Sequence, residues 1–454
     1  MQSPPSSLPV ATSSDCRRIA EEIEKAFPDE GLFAGHRWRI GCRPLTLSPK
    51  TVRELEMMGR VLLKFNQAVN RLYYQSASGK QPAWISDWLD CGKPSELIEI
   101  QRNKAFRKDL PRVIRPDLLL TDNGFRITEL DSVPGGIGLT AWLNDTYSKF
   151  FPEILGGKKG MIEGFRGIFN AKSKVHIQFS VESETYRPEM AWLAKRLNEE
   201  GDRFVIQNET FEDFQEQESV YRFFELFDLK NVPGHRKLFQ AAASKHIQLT
   251  PPPKPLFEEK MLLAFLCNRH LDGFWHRELG DGFYKRIKEW CPYTWVVDPS
   301  EIPPHAAIPR LELTDWNQLK SLSQKQRRLI LKISGFSERA WGARGLYLGS
   351  DLSSTEWSLA VDEALTSFNK NPFVLQEYHT PNRIETTWFD AEQGTIEAMQ
   401  GRVRLCPYYF VHGEGDQAKT KLGGALATIC PEDKKIIHGM KDAVMVPCSI
   451  GPQE

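Results

Sequence analysis

Apolar positions along this chain recur at about every 3.6 residues in some stretches and at about every second residue in others, so helices and strands alternate. Tyr186 to Glu200 sets Met190, Leu193, Ala194 and Leu197 on one helical face, and Gly201 supplies the stop. Lys174 to Phe179 before it and Phe204 to Ile206 after it are β-rich, which predicts a βαβ-like unit. Further on, Ser353 and Glu356 form a capping box. Trp357, Ala360, Val361, Ala364, Leu365 and Phe368 make the amphipathic stripe behind it. The longest apolar run, Met261 to Cys267, falls far short of the roughly 20 residues of a membrane span. Thr250-Pro251-Pro252-Pro253-Lys254-Pro255 reads as a linker, because its prolines exclude helix and central strand alike.

The most informative pattern is a pair of β-rich runs, Ile114 to Leu120 and Phe125 to Asp131, around Asp122-Asn123-Gly124. A three-residue hairpin loop with a left-handed Gly124 sets Thr121 opposite Phe125, Leu119 opposite Ile127, Asp117 opposite Glu129 and Arg115 opposite Asp131. Opposed and alternate residues share a face, so all of these point to one side. Three converging carboxylates need compensating charge, from Arg115 or from a hard cation such as Mg²⁺. A solvated hairpin with an Arg115–Asp131 pair explains the spacing equally well.

Composition narrows the partners. The 454 residues carry 59 Lys+Arg against 59 Asp+Glu, which argues against electrostatic binding of nucleic acid or an anionic membrane. Twelve Trp and 26 Phe spread along the chain exclude wholesale disorder. The eight cysteines form no Cys-x-x-Cys pair and the histidines no His-x-x-x-His pair. They are expected reduced and mostly buried in a cytoplasmic protein, without a zinc site. The amino terminus has neither a basic start nor an apolar core, so residues 1–15 are expected to be a disordered leader rather than a signal peptide.

Three other segments bear on chemistry. Pro134-Gly135-Gly136-Ile137-Gly138 formally opens a dinucleotide fingerprint, Gly136-x-Gly138-x-x-Ala141. Its preceding strand is acidic, and no second strand with an acidic end follows, so a glycine turn lining a substrate pocket is favoured over a Rossmann NAD(P) site. Leu329 to Lys332 is a strand ending in a lysine, followed by the Gly/Ser-rich stretch 334–345 and a second strand. Such a loop can lay backbone N–H groups over phosphates. Phe373 to Tyr378 is an apolar strand running into a polar end, the kind of junction an adenine ring uses.

Taken together these pieces resemble the circularly permuted branch of the ATP-grasp superfamily, including the synthetase domain of glutathionylspermidine synthase and uncharacterised bacterial ATP-grasp proteins. The resemblance covers roughly residues 110–450, and the carboxylate hairpin preceding the lysines is its most specific feature. The family pattern Arg-x-Asp followed by Glu-x-Asn is matched by Arg115, Asp117, Glu129 and Asp131, with Asp131 standing where Asn is usual. That departure adds a charge and sets the role of Asp131 apart. The resemblance implies an α+β or α/β fold, a circularly permuted ATP-grasp fold with an additional α/β pre-ATP-grasp domain. The implied division is 16–164 for the region with the metal-binding half, 165–255 for the pre-ATP-grasp domain and 256–454 for the nucleotide-binding subdomains.

The implied activity is an ATP- and Mg²⁺-dependent carboxylate–amine ligase working through an acyl phosphate. The implied sites are Asp117, Glu129 and Asp131 for metal, Arg115 for catalysis, and Lys260, Lys332, Gly335, Trp341, Gly342, Gln376, Glu377, Tyr378 and Arg404 for ATP. Gly135, Gly136 and Gly138 belong to a substrate loop. The partners are a small-molecule or peptide carboxylate and an amine, with no nucleic acid and no membrane. Oligomeric state is unreadable from sequence. Two other readings stand beside this one: a nucleotide-binding or scaffold protein on the same fold without ligase activity, and the Rossmann oxidoreductase.

Overall fold

The computed structural model describes residues 13–26, 38–170, 173–303, 306–340, 342, 344–437 and 442–452. These form three sheets around one cleft. The largest has eight strands and is mainly antiparallel. Its path runs Arg383–Asp390, Arg39–Gly41, Val444–Ile450, Lys419–Pro431, Thr395–His412, Val113–Thr121 and Gly124–Asp131, with Leu45–Leu47 pairing onto Val444–Ile450. The second sheet is antiparallel, in the order Leu346–Leu348, Leu329–Ile333, Phe373–Glu377, Thr294–Val296. The third is parallel, in the order Arg203–Gln207, Lys174–Phe179, Ser219–Phe223, Gln248–Thr250.

Helices fill the faces. Ser48 caps the helix Pro49–Ala77, accepting from the Thr51 N–H, and Pro49 takes a first-turn position where its missing N–H costs nothing. Its buried stripe (Val52, Leu55, Met58, Leu62, Phe65, Val69) lies on the large sheet. Gly59 allows that contact, since a Cβ there would sit 2.5 Å from the Tyr409 ring. The helix Arg187–Glu199 connects the first two strands of the parallel sheet, and Met190, Leu193, Ala194 and Leu197 are buried as the periodicity required, with Glu189 buried beside them. The capping box at Ser353 and Glu356 is also present, ahead of the helix Ser354–Thr366.

Three larger cores follow from this layering. The inner face of the parallel sheet merges with the core of the large sheet, the second sheet keeps its own core around Trp295, Leu331 and Trp357, and Val220, Phe224 and Leu238 close the outer side of the parallel sheet.

Two expectations change here. Most of the leader, residues 1–12, lies outside the described residues, but Asp15 belongs to the helix Ser13–Ala26. The proline stretch is no exposed linker, because Thr250 to Phe257 are all buried. Its Lys254 ammonium donates to Asn70 Oδ1 at 2.9 Å and to the Asp109 carbonyl at 2.8 Å. Prolines exclude regular pairing but not burial, and here their missing N–H groups leave fewer donors to satisfy.

Candidate functional site

The carboxylate hairpin forms, with a register that differs near its turn. Leu120 faces Phe125, Leu119 faces Arg126 and Leu118 faces Ile127. A bulge at Thr128 then restores Asp117 opposite Glu129 and Arg115 opposite Asp131. Gly124 is left-handed, with φ 84°. The consequence is a sorting by face. Phe125 and Ile127, expected beside the carboxylates, point into the core together with Leu118, while Leu119, Asp117 and Glu129 line the cleft. The extra residue reverses the alternation, as bulges do. Thr128 itself is bonded on both sides, its hydroxyl donating to the Asp117 carbonyl and its own carbonyl accepting from Lys332.

At the base of the cleft, Arg115 bridges Asp117 and Asp131, both at 2.9 Å. Arg404, on the neighbouring long strand, reaches Asp117 at 3.1 Å. Burial pushes the Asp117 carboxyl up, but Arg115 and Arg404 outweigh it and hold the group below its ordinary value. Asp131 is pushed up by burial, and Arg115 only partly offsets this because Glu129 and Asp117 add repulsion. Lys260 meets Glu129 at 3.0 Å and also donates to the Ala340 carbonyl. Lys332 lies in the second sheet, donating to Gln376 Oε1 at 2.8 Å and to the Thr128 carbonyl at 3.1 Å. Burial lowers its ammonium to about 8. The two lysines thus meet the hairpin and line with it a cavity of about 600 Å³.

Of the residues singled out in the sequence, Arg115, Asp117, Glu129, Asp131, Gly135, Gly136, Lys260, Lys332, Gly342, Gln376, Glu377, Tyr378 and Arg404 line this cavity. Two do not take the expected place. Gly335 is outside the lining, wedged against the Glu258 carbonyl and the Glu259 carboxylate, where a Cβ would sit 2.5 Å from the former. Gly138 is in the first turn of the helix Ile137–Tyr147, and its Cβ would lie 2.1 Å from the Glu189 carbonyl. It serves helix packing rather than a substrate loop. Trp341 lies outside the described residues.

The dinucleotide reading fails on geometry. The strand before Gly136 is the second strand of an antiparallel hairpin, not the first of a parallel βαβ unit. The N-terminus of the following helix, where a pyrophosphate would sit, is taken by the Glu189 carboxylate, which accepts from Gly136 N at 2.6 Å and Leu139 N at 2.8 Å.

Sequence reading missed several cavity residues. Tyr408 donates to the Gly135 carbonyl at 2.8 Å, and Arg115 donates to the same oxygen. Glu225 and Glu258 line the cavity from the parallel-sheet side. Their signal was available: a carboxylate inside Tyr221-Arg222-Phe223-Phe224-Glu225-Leu226 or Pro255-Leu256-Phe257-Glu258 has to find a buried partner or a ligand. The eight cysteines are free, Cys91 half-buried and the others buried. Among the described residues no helix is long and apolar enough to cross a membrane.

No protein-family model matches this chain, and no curated protein matches its sequence. Its fold is that of a solved glutathione synthetase-like effector from Globodera pallida, with a TM-score of 0.55 at 9% identity, covering 97% of this chain and 96% of that one. A candidate gamma-glutamylcysteine synthetase from Methylobacillus flagellatus also aligns, with a TM-score of 0.36 at 11% identity over 77% of this chain and 82% of that one, and nothing here rests on it. The class is therefore a mixed α/β protein with a glutathione synthetase-like fold.

Proposed function

We propose that the protein is an ATP- and Mg²⁺-dependent carboxylate–amine ligase of the ATP-grasp kind, in the circularly permuted order, with the parallel sheet as its pre-ATP-grasp unit. One observation carries this reading. Asp117, Glu129 and Asp131 on one hairpin share a cavity with Lys260 and Lys332, which come from distant parts of the chain. The name of the glutathione synthetase-like effector agrees with carbon–nitrogen ligation.

In this reading the adenine lies by Gln376, Glu377 and Tyr378, and the phosphates point to Lys260 and Lys332. A substrate carboxylate attacks the γ-phosphate and ADP leaves; an amine then attacks the acyl phosphate, phosphate leaves, and an amide remains. Such chemistry asks for charge neutralisation and positioning rather than a protein nucleophile. Arg115 and Arg404 stabilise the negative charge that develops on the acyl group. Lys260 exchanges Glu129 for phosphate oxygens, and the 334–345 loop excludes water. The oxygen-only donors of Asp117 and Glu129 fit a hard divalent ion arriving with the nucleotide, and Glu129, 39% exposed with Lys260 as its ion-pair partner, has lone pairs to offer. Bound there, Mg²⁺ would neutralise phosphate charge. Eight free cysteines suit a reducing cytoplasm.

Calorimetric titration tests the nucleotide site. Mg-ATP is expected to bind, with at least tenfold loss in Asp117→Ala and Glu129→Ala; no Mg-ATP binding to the wild type would sink the proposal. A phosphate-release screen over amino acids, polyamines and short peptides then identifies the acid and the amine. A scaffold without ligase activity is the second reading. It is favoured by the fact that, among the described residues, no group of three His, Cys, Asp or Glu side chains is disposed to hold a metal. Mg-ATP binding without phosphate release from any pool would decide for it.

A further inference from the structure

The cavity has an acidic end that the ATP reading leaves unused. Glu225 lies just after the parallel-sheet strand Ser219–Phe223, and its carboxylate lines the cavity. The neighbouring acids are each satisfied. Glu258 is held by Arg222 at 2.7 Å and by the Leu226 N–H at 2.8 Å. Asp131 has Arg115 and the Val133 N–H, and Glu129 has Lys260. Among the described residues the Glu225 carboxylate accepts no hydrogen bond and makes no ion pair. Ser132 lines the same cavity; it is 7% exposed and its hydroxyl is buried without a partner. A half-buried carboxylate with no ion pair or hydrogen bond and a buried hydroxyl without a partner, both lining one cavity, point to a ligand that donates hydrogen bonds and carries positive charge.

We propose that Glu225, with Ser132 as a second acceptor, forms the seat of a primary ammonium, the acceptor amine of the reaction. This rests on the ligase reading for its purpose but not for its existence. The charged groups that act most strongly on Glu225 are Glu258, Asp131, Lys260 and Glu129; the three acids are paired with Arg222, Arg115 and Lys260, which leaves the Glu225 carboxylate without an ion pair of its own. Burial, reinforced by Glu258 and Asp131, pushes the Glu225 carboxyl well above its ordinary range. Burial and like charge thus favour its protonated form, and an arriving ammonium favours the carboxylate, with any proton displaced leaving to solvent. The amine stays charged until the attack, when its own proton can pass to Glu225: the N–H bond breaks, the carboxyl O–H forms, and the freed lone pair is the nucleophile.

Glycinamide, a small primary ammonium without a carboxylate, is the probe, and N-acetylglycinamide is its neutral counterpart. Titrations run at pH 7 with Mg-ATP present, in buffers of different ionisation enthalpy. Wild type is expected to bind glycinamide with net proton release and to ignore N-acetylglycinamide. Glu225→Gln is expected to bind glycinamide at least tenfold more weakly, to release no proton, and to keep its Mg-ATP affinity. Its melting temperature should be unchanged or raised, which separates lost binding from misfolding. Absence of glycinamide binding to the wild type, equal binding in Glu225→Gln, or equal binding of the neutral probe overturns the assignment, as does Mg²⁺ binding that disappears with Glu225. Glycinamide binding in a protein that does not bind Mg-ATP would instead uphold the ammonium seat and reject the ligase reading.

Discussion

Glu189 joins two parts of the fold with one carboxylate. It sits on the helix Arg187–Glu199 and caps the helix Ile137–Tyr147 through two backbone N–H groups, which favour its charged form. Burial nonetheless wins and raises the carboxyl to about 7. A folded value above the unfolded value near 4.5 means that the native state binds the extra proton, so stability falls as pH rises from about 4.5 through about 7. At about 1.4 kcal/mol per unit, the full loss is on the order of 3–4 kcal/mol. Urea unfolding at pH 5, 6, 7 and 8 should show the gap between wild type and Glu189→Gln changing across that window; a constant gap would mean Glu189 does not titrate there.

Lys332 titrates in the opposite sense. Its ammonium, lowered to about 8 by burial, is charged below that value, so Mg-ATP affinity should decline as pH rises from 7.5 to 9. Lys332→Ala should remove both the slope and at least tenfold in affinity, read by calorimetry. Neither value could be inferred from the sequence. Periodicity marks Glu189 as part of a helix, but only packing shows that it is buried against another helix's first turn.

At the scale of elements, the hairpin carries the lesson. Asp122-Asn123-Gly124 and the flanking β-rich runs announced it, and the facing of Asp117 with Glu129 and of Arg115 with Asp131 was legible from counting. The position of Phe125 and Ile127 was not, because one bulged residue reverses every side chain beyond it and no residue type requires the bulge at Thr128. Gly138 teaches the same point about glycine. Its place beside Gly135 and Gly136 suggested a pocket loop, whereas the backbone of Glu189 passes so close that no Cβ fits. Gly138→Ala should therefore destabilise by about 2 kcal/mol, despite the better helix propensity of alanine, through overpacking. A lowered melting temperature with unchanged Mg-ATP affinity in the folded fraction would establish the packing role. Ser353→Ala, which removes the capping box, should cost about 1 kcal/mol, seen as a melting temperature lower by a few degrees.

At the scale of the molecule, the cleft is built by separate layers. The hairpin belongs to the large sheet, Lys332 and Gln376 to a sheet with its own core, and Glu225 and Glu258 to the parallel-sheet side. A ligand that touches all three ties these layers together. Mg-ATP at a hundredfold excess over its Kd should stabilise the fold by about 2.7 kcal/mol, measured as a rise in melting temperature. Lys332→Ala, with its affinity at least tenfold weaker, should cut that stabilisation to about 1.4 kcal/mol or less at the same concentration.

Local chemistry determined much in advance. Helix periodicity, the capping box and the hairpin with its carboxylates are properties of short windows, where spacing alone decides which side chains share a face, whereas Lys260 was marked only by the resemblance. What only the tertiary structure decided is long-range: which layer each element joins, which glycines face the cleft, and that the proline stretch is buried. The equality of 59 basic and 59 acidic residues is silent about where charges gather. Folding sets Arg115 and Arg404 on Asp117 and gives Lys260 to Glu129 rather than to Glu225, because burial and distance, not composition, govern how charges pair.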